Sequence, residues 1–278
     1  MENQSKPILI PTDFTVVVQY ALESAVPFAK MTNTEVVLVN VAKKASDVPE
    51  AAAKVEAEAK QASKDYGIQV IGIVREGSIF TTIGDTVNEL DAGLVLMGTH
   101  GVRGMQKIFG SWALKVLVTS RVPIIVVQAP PRKMTVDRIA FPIDFRRENR
   151  EKIGWAYYVS KMFNSKVHII RAETSRYKKL EQNIKTNLLF TEKFLKSKNV
   201  QYDISIANGS DSFAKESLKF AQEVDADLIL ITTTKGISMV DHVLGPVEED
   251  IITNSANIPV MCVNPRKTKI GGFSATGG

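Results

Sequence analysis

Lys6-Pro7-Ile8-Leu9-Ile10-Pro11-Thr12-Asp13-Phe14 returns later in the chain as Asp137-Arg138-Ile139-Ala140-Phe141-Pro142-Ile143-Asp144-Phe145. Pro11 and Pro142 are 131 residues apart, and the same offset carries Lys30-Met31 onto Lys161-Met162 and Asn33 onto Asn164. Asp91-Ala92-Gly93-Leu94-Val95-Leu96 is echoed by Asp225-Ala226-Asp227-Leu228-Ile229-Leu230 at an offset of 134, so a few residues have been inserted on the way. Val122-Pro123-Ile124-Ile125-Val126-Val127 is echoed in turn by Ile258-Pro259-Val260-Met261-Cys262-Val263. Matches of this length in one order along the chain mark an internal duplication. The duplication divides the chain into residues 1–132, 133–265 and a tail, 266–278, that is expected to be flexible because it ends in small polar residues and glycine.

Each copy alternates short apolar runs with longer amphipathic segments. The first predicts strands at 7–11, 35–41, 68–74, 93–98 and 123–128. They are rich in Val and Ile and almost continuously apolar, as strands buried on both faces should be. Between them, Val18, Ala21, Leu22 and Ala25 follow helical spacing, with Pro27 expected to kink that helix. Residues 47–64 read as an exposed helix, and Ser78 reads as the N-cap of a helix reaching about residue 91. Ala113, Val116 and Leu117 form the stripe of the last helix. The second copy predicts strands at 137–142, 166–171, 200–206, 227–232 and 258–264, and a helix carrying Leu180, Ile184 and Leu188 on one face. Strands alternating with helices predict α/β architecture, a parallel sheet with helices on both sides. Residues 129–136, with Pro130-Pro131, read as a short linker.

Composition narrows the function. The 278 residues are 44% hydrophobic and 23% charged, with a net charge of +5, which suits two globular domains. The basic excess is spread along the chain without basic-aromatic interleaving, so nucleic acid binding is not implied. Apolar runs such as Ile124-Ile125-Val126-Val127 are too short to cross a bilayer, and the N-terminus has no apolar signal core. The single cysteine, Cys262, suits a reducing compartment and reads as a buried, inert thiol; the expected location is the cytoplasm.

In open α/β sheets, ligands bind at the carboxyl ends of strands. Pro11-Thr12-Asp13 follows the first strand, and Met97-Gly98-Thr99-His100-Gly101 follows the fourth, leading on to Gly110-Ser111 and a helix starting near Trp112. Glycines let backbone N–H groups approach a phosphate, and a helix start supplies unpaired donors and a positive dipole end. Asp13 can accept from a base amine or a ribose hydroxyl, while Ile10, Val41 and Met97 are candidate walls for an adenine. Each feature also has a plain structural reading: the glycines as a turn, Asp13 as a helix cap, and Trp112 and Trp155 as packing residues. In the second copy Thr232 replaces the first glycine, and Pro246 stands where Ser111 would be, removing a hydroxyl and a backbone donor. Asp144 therefore reads as a cap or turn residue.

The strand-Pro-Thr-Asp start, the stretch from Met97 to Ser111 and the Val122-Pro123 strand make the chain similar to the universal stress protein family, in its tandem two-domain form, across residues 6 to 264. The resemblance implies two doubly wound five-stranded parallel sheets in 3-2-1-4-5 order, of the adenine nucleotide alpha hydrolase-like type. It also implies pairing between Val122–Val127 and Ile258–Val263 inside the chain, with room for a homodimer of the tandem unit. The family's nucleotide-binding branch carries Gly-x2-Gly-x9-Gly-Ser; here Gly98 and Gly101 match, and residues 102–109 make the spacer eight before Gly110-Ser111. Carried over residue by residue, the nucleotide site comprises Pro11, Thr12, Asp13, Val41, Met97, Gly98, Gly101, Gly110, Ser111 and Trp112.

The function expected is that of a stress-response protein binding ATP, or else ADP or AMP, in the first copy, with Mg²⁺ as an accompanying ion. The second copy is then a structural or regulatory partner. The alternative is an interaction module that binds proteins and no nucleotide, which the short spacer favours. Catalysis beyond slow ATP hydrolysis is not expected. A P-loop, a kinase signature, a Gly-x-Ser-x-Gly elbow and zinc-ligand spacing are all missing, and the three histidines, His100, His168 and His242, are scattered.

Overall fold

The computed structural model describes residues 6–99, 116–117, 120–174, 180–233 and 246–265. The first half runs β1 (Ile8–Pro11), α1 (Val16–Thr32), β2 (Val36–Ala42), α2 (Val48–Tyr66), β3 (Val70–Glu76), α3 (Ile79–Glu89), β4 (Leu94–Gly98) and β5 (Ile124–Val127). The second runs β6 (Arg138–Ile143), α4 (Ile153–Phe163), β7 (Lys166–Arg171), α5 (Glu181–Ser197), β8 (Tyr202–Ile206), α6 (Phe213–Glu223), β9 (Leu228–Thr232), α7 (Pro246–Ile252) and β10 (Val260–Val263). Strand limits agree with the sequence pattern to within two residues. β3 starts late because Gly67, at φ 62°, ends α2 in a left-handed turn before it.

Positions repeated between the halves turn out to be chain-reversal points. Asn33 and Asn164 both adopt left-handed conformation, φ 50° and 56°, and close α1 and α4 with backbone bonds to Ala29 and Ser160. Asp91 and Asp225, at φ 48° and 51°, follow α3 and α6 in the same conformation. Asn and Asp tolerate this region better than other non-glycine residues, which explains their return at these places. Pro27 lies inside α1, and the helix continues past it to Thr32.

Within each half the strands are parallel in 3-2-1-4-5 order. The sequence pattern predicts two sheets, and the family resemblance implies that their fifth strands pair; through that pairing the structure joins them into one. The ten strands run β3-β2-β1-β4-β5-β10-β9-β6-β7-β8, and β5 meets β10 antiparallel, with Val126 opposite Val260, Ile125 opposite Met261 and Ile124 opposite Cys262. All residues of β5 and β10 are buried, so an unpaired edge on either strand would strand backbone donors and acceptors away from water.

Side chains alternate across this sheet and feed two apolar layers, each continuous through both halves. One holds Ile10, Leu22, Leu38, Ile125, Phe141 and Met261. The other holds Leu9, Val95, Ile124, Val126, Val260 and Cys262. Cys262 is free and buried, and burial pushes its thiol pKa up, away from reactivity. In α5 the inward positions are Ile184, Asn187, Thr191 and Leu195; Leu188 is only partly buried, and Leu180 stands at the N-cap. The apolar stripe expected there is thus replaced in part by polar groups.

The strand joint generates a direct prediction. Ile125→Asp places an unpaired carboxylate between the two halves and is expected to lower unfolding free energy by about 4 kcal/mol or more. Denaturant titration checks it; a wild-type midpoint would show that the joint carries no stability.

Candidate functional site

β1 ends in a turn built by its own side chains. The Thr12 N–H donates to Val39 O at 2.9 Å, and Asn40 Nδ2 donates to Thr12 O at 2.8 Å, so the residue after Pro11 stays in the sheet. Thr12 Oγ1 accepts the Phe14 N–H at 3.1 Å. Asp13 Oδ1 accepts both the Thr15 N–H at 3.1 Å and the Thr15 hydroxyl at 2.6 Å. These bonds hold Phe14 at φ 64°, an uncommon conformation for an aromatic residue; its counterpart Phe145 does not adopt it. Asp13 is exposed.

A shallow cleft lies beside this turn. Pro11, Thr12, Asp13, Val41, Met97 and Gly98 line it, so six of the sequence-derived site residues come together at the carboxyl ends of β1, β2 and β4. Gly101, Gly110, Ser111 and Trp112 lie outside the described residues, as do His100 and His242. Val18, Val39, Ile79 and Ile83 complete the walls. Sequence reasoning missed these four, although Ile79 and Ile83 share one face of α3 at helical spacing. Ile10 was an expected wall and is not one. It belongs to the opposite apolar layer, because one residue of shift along a strand reverses the face.

Glu58 is a second carboxylate, bonded to the lining residue Thr12, that the pattern did not reveal. It lies on α2 beside the inward residues Val55, Ala59 and Ala62, and Oε2 accepts the Thr12 hydroxyl at 3.1 Å. Burial raises its pKa, the Thr12 bond opposes that, and the charge of Asp13 raises it further. The signal was its place next to the apolar stripe of an otherwise exposed helix.

Gly98 has a packing role independent of any ligand. A Cβ built there would fall 2.0 Å from Val17 O and 2.5 Å from Val17 C. The first turn of α1 therefore rests directly on the end of β4. In the second half the corresponding residue is Thr232, and its hydroxyl donates to Glu148 O at 3.2 Å. There a 3-10 turn, Arg147–Arg150, replaces the first helical turn, and α4 starts only at Ile153. A β-branched residue thus fits because the backbone above it is differently wound.

The second half also places a charge network at the end of β6. Asp144 Oδ1 accepts the Arg146 N–H at 2.9 Å, the turn role expected of it, and Asp144 Oδ2 accepts Arg146 Nε at 2.6 Å. Arg146 Nη1 also pairs with Glu248 on α7, so one guanidinium bridges the strand end and the last helix. Asn149 donates to Asp144 Oδ1, and Asn187 donates to the Asp144 and Arg146 carbonyls at 3.0 and 2.8 Å. Lys152 lies buried beneath, donating to Pro142 O and standing 4.4 Å from the Phe141 ring centroid. Its burial pulls the amine down to about 7; the Asp144 charge opposes this and the Arg146 charge adds to it. His168, inside β7, is held through Nδ1 at 3.0 Å from Asp203. Among the described residues no cluster of His, Cys, Asp or Glu is suited to a metal ion, and no helix is long and apolar enough to cross a membrane.

Fold and site together define a tandem α/β chain with an apolar-walled cleft at the strand ends of its first half and a charge network at the matching place in its second. Residues 4–128 match the model of the universal stress protein family. The chain is similar to a universal stress protein of Methanocaldococcus jannaschii, 26% identical over 48% of this chain and 87% of that protein. One from Synechocystis is 29% identical over 44% of this chain and 85% of its own length. The fold of the whole chain resembles the crystal structure of a universal stress protein from Archaeoglobus fulgidus, with TM-score 0.75 and 23% identity, covering 95% of this chain and 100% of that one.

Two outcomes follow from these contacts. Gly98→Ala must push α1 off β4 and is expected to cost about 2 kcal/mol or more, read from the unfolding midpoint; an unchanged midpoint would mean that the helix start yields freely. Lys152 gives a pH signature. Its folded pKa, about 7, lies below the unfolded value of 10.5, so between them the unfolded chain holds a proton that the folded chain lacks. Stability contributed by the neutral amine is therefore present at high pH and is lost as pH falls toward 7. Unfolding free energy should rise from about pH 7 to about pH 9.5 in the wild type, and Lys152→Met should flatten that rise.

Proposed function

We propose that the first half binds an adenine nucleotide, ATP or its products ADP or AMP, in a stress-response role. Residues 1–132 form the binding domain, and 133–265 form a structural or regulatory partner held to it within the chain. The observation that carries this reading is the cleft at Pro11, Thr12, Asp13, Val41, Met97 and Gly98. Its apolar walls suit a base, and Asp13, fixed through Oδ1 to Thr15, offers an acceptor to a base amine or ribose hydroxyl. The left-handed Phe14 beside it supports the same reading, since strained backbone gathers at binding sites. Phosphates would extend toward Gly101, Gly110, Ser111 and Trp112. A magnesium ion would arrive with the phosphates, because the described residues offer no cluster of their own. Only slow hydrolysis is expected: among the described residues the cleft is lined by no histidine or lysine to pair with Asp13.

The second half supports the partner role because Arg146, Asp144 and Glu248 satisfy one another where a ligand would lie. The competing reading is a protein-interaction module that binds no nucleotide, favoured by the eight-residue spacer before Gly110.

Isothermal titration with ATP, ADP and AMP separates the readings. One equivalent is expected per chain, with affinity reduced about tenfold or more in Asp13→Ala, the loss of one charge-assisted hydrogen bond. Absence of heat at millimolar nucleotide would favour the interaction module. Two equivalents would overturn the assignment of the second half.

A further inference from the structure

Helical hydroxyls in this chain commonly donate to the carbonyl four residues back. Thr32, Thr86, Thr186, Thr191 and Ser217 all do so, at 2.7, 2.7, 2.7, 2.8 and 2.6 Å. Ser24, in the middle of α1, does not. It is 7% exposed, and its hydroxyl oxygen is buried with no partner among the described residues. A buried unpaired hydroxyl is destabilising, and a molecule that supplies the missing bond recovers the loss. The Ser160 hydroxyl is unpaired as well, but Ser160 does not line the hollow that Ser24 lines.

That hollow lies where the two halves and the linker meet. Its apolar walls include Pro27 and Phe28 of α1, Ile125 of β5, Leu228 of β9, and Pro131 and Val136 of the linker. It shares no residue with the cleft at the ends of β1, β2 and β4. At the offset of 131, Ser24 and Pro27 correspond to Trp155 and Tyr158 of α4, whose rings pack edge to face at 5.7 Å. One face of the duplicated helix thus carries two aromatic rings in the second half, and only a serine and a proline in the first.

Charges around the hollow are already matched. Lys133 Nζ lies 2.7 Å from Asp137 and 3.1 Å from Asp227, and Arg132 pairs with Asp225 at 3.0 Å. Asp227 Oδ2 also accepts the Asp137 and Arg138 N–H groups at 2.8 and 2.9 Å, and the Thr135 hydroxyl donates to Asp137 at 2.8 Å. An ionic ligand would have to break these pairs, whereas a neutral one leaves them intact. We propose that the hollow binds a small neutral molecule with an apolar body and one hydroxyl, phenol being the simplest form, and that Ser24 is its hydrogen-bond partner. The apolar walls take the ring, and the serine hydroxyl bonds the ligand oxygen. Such an occupant touches α1, the linker and β9 at once, so its binding stabilises the junction of the two halves. The assignment is independent of nucleotide binding at the other cleft.

The test titrates the full chain with phenol and with benzene, followed through its amide resonances. Phenol is expected to shift Ser24, Phe28, Val136 and Leu228, and to bind about tenfold more tightly than benzene, the difference made by one net hydrogen bond. Ser24→Ala removes an unpaired hydroxyl and should fold as well as wild type; in it, phenol should fall to the affinity of benzene. Ser24→Trp introduces the bulk found at the matching position of α4 and should abolish binding of both. Its thermal midpoint shows whether it has folded, and the alanine variant decides the matter if it has not. Equal affinity for phenol and benzene in the wild type, or a phenol preference that survives Ser24→Ala, would overturn the proposal. So would the absence of shifts at tens of millimolar phenol, the result of a hollow that holds only water, or shifts confined to Val39, Ile83 and Met97 in the other cleft.

Discussion

The structure depends on how two buried strands find backbone partners. β5 and β10 are each paired in parallel on one side, with β4 and β9, and each would otherwise present an open edge inside the protein. Meeting antiparallel, they satisfy one another. Pleating then sends Ile125 and Met261 to one apolar layer and Ile124, Val126, Val260 and Cys262 to the other. Both layers thereby become common property of the two halves. The short linker is consistent with this arrangement, with Arg132 and Lys133 paired to Asp225 and Asp227 of the second half.

The same duplication reached two different solutions at the ends of β1 and β6. In the first half Gly98 lets α1 begin close over the sheet, and the Thr12–Thr15 turn holds a strained Phe14 beside an open cleft. In the second, Thr232 meets a 3-10 turn, and Arg146 bridges Asp144 and Glu248. Charged groups taken from water need partners, and here Asp144 has Arg146 and Asn149, while Lys152 has the Pro142 carbonyl and the Phe141 ring. One half leaves the carboxylate of its turn, Asp13, exposed; the other pairs the equivalent carboxylate, Asp144, with Arg146.

Much of the fold could be read from periodicity. Almost continuous Val and Ile runs placed every strand, and the repeated Pro-x-Asp and Val/Ile-Pro motifs placed the boundaries between copies. Repeated Asn33 and Asn164 were visible as matches, but their cause, a left-handed helix end, is a backbone property that needs coordinates. The candidate site was legible to the extent that its residues are local motifs at strand ends. Ile10 was misassigned because an apolar residue in a strand buried on both faces gives no sign of which face it takes. Glu58 escaped because its partner, Thr12, is 46 residues away. The polar inward face of α5 escaped because Asn187 is buried only by virtue of the Asp144 and Arg146 carbonyls it binds.

The amino-acid sequence by itself determined that this protein is a duplicated α/β chain, where its strands begin and end, and that the second glycine loop is broken. These follow from local chemistry: apolar period, glycine and proline placement, and the repetition of both. Tertiary structure alone decided in what register β5 and β10 join the two sheets, that Gly98 is required by the close approach of α1, and that Arg146 bridges Asp144 and Glu248. It also decided that Gln128 donates to Ile252 O, and Asn264 to Leu117 O and Ser120 O, across the two halves. All four depend on groups brought together from distant parts of the chain, and such distances are set by how buried strands and charges find partners, which no local pattern encodes.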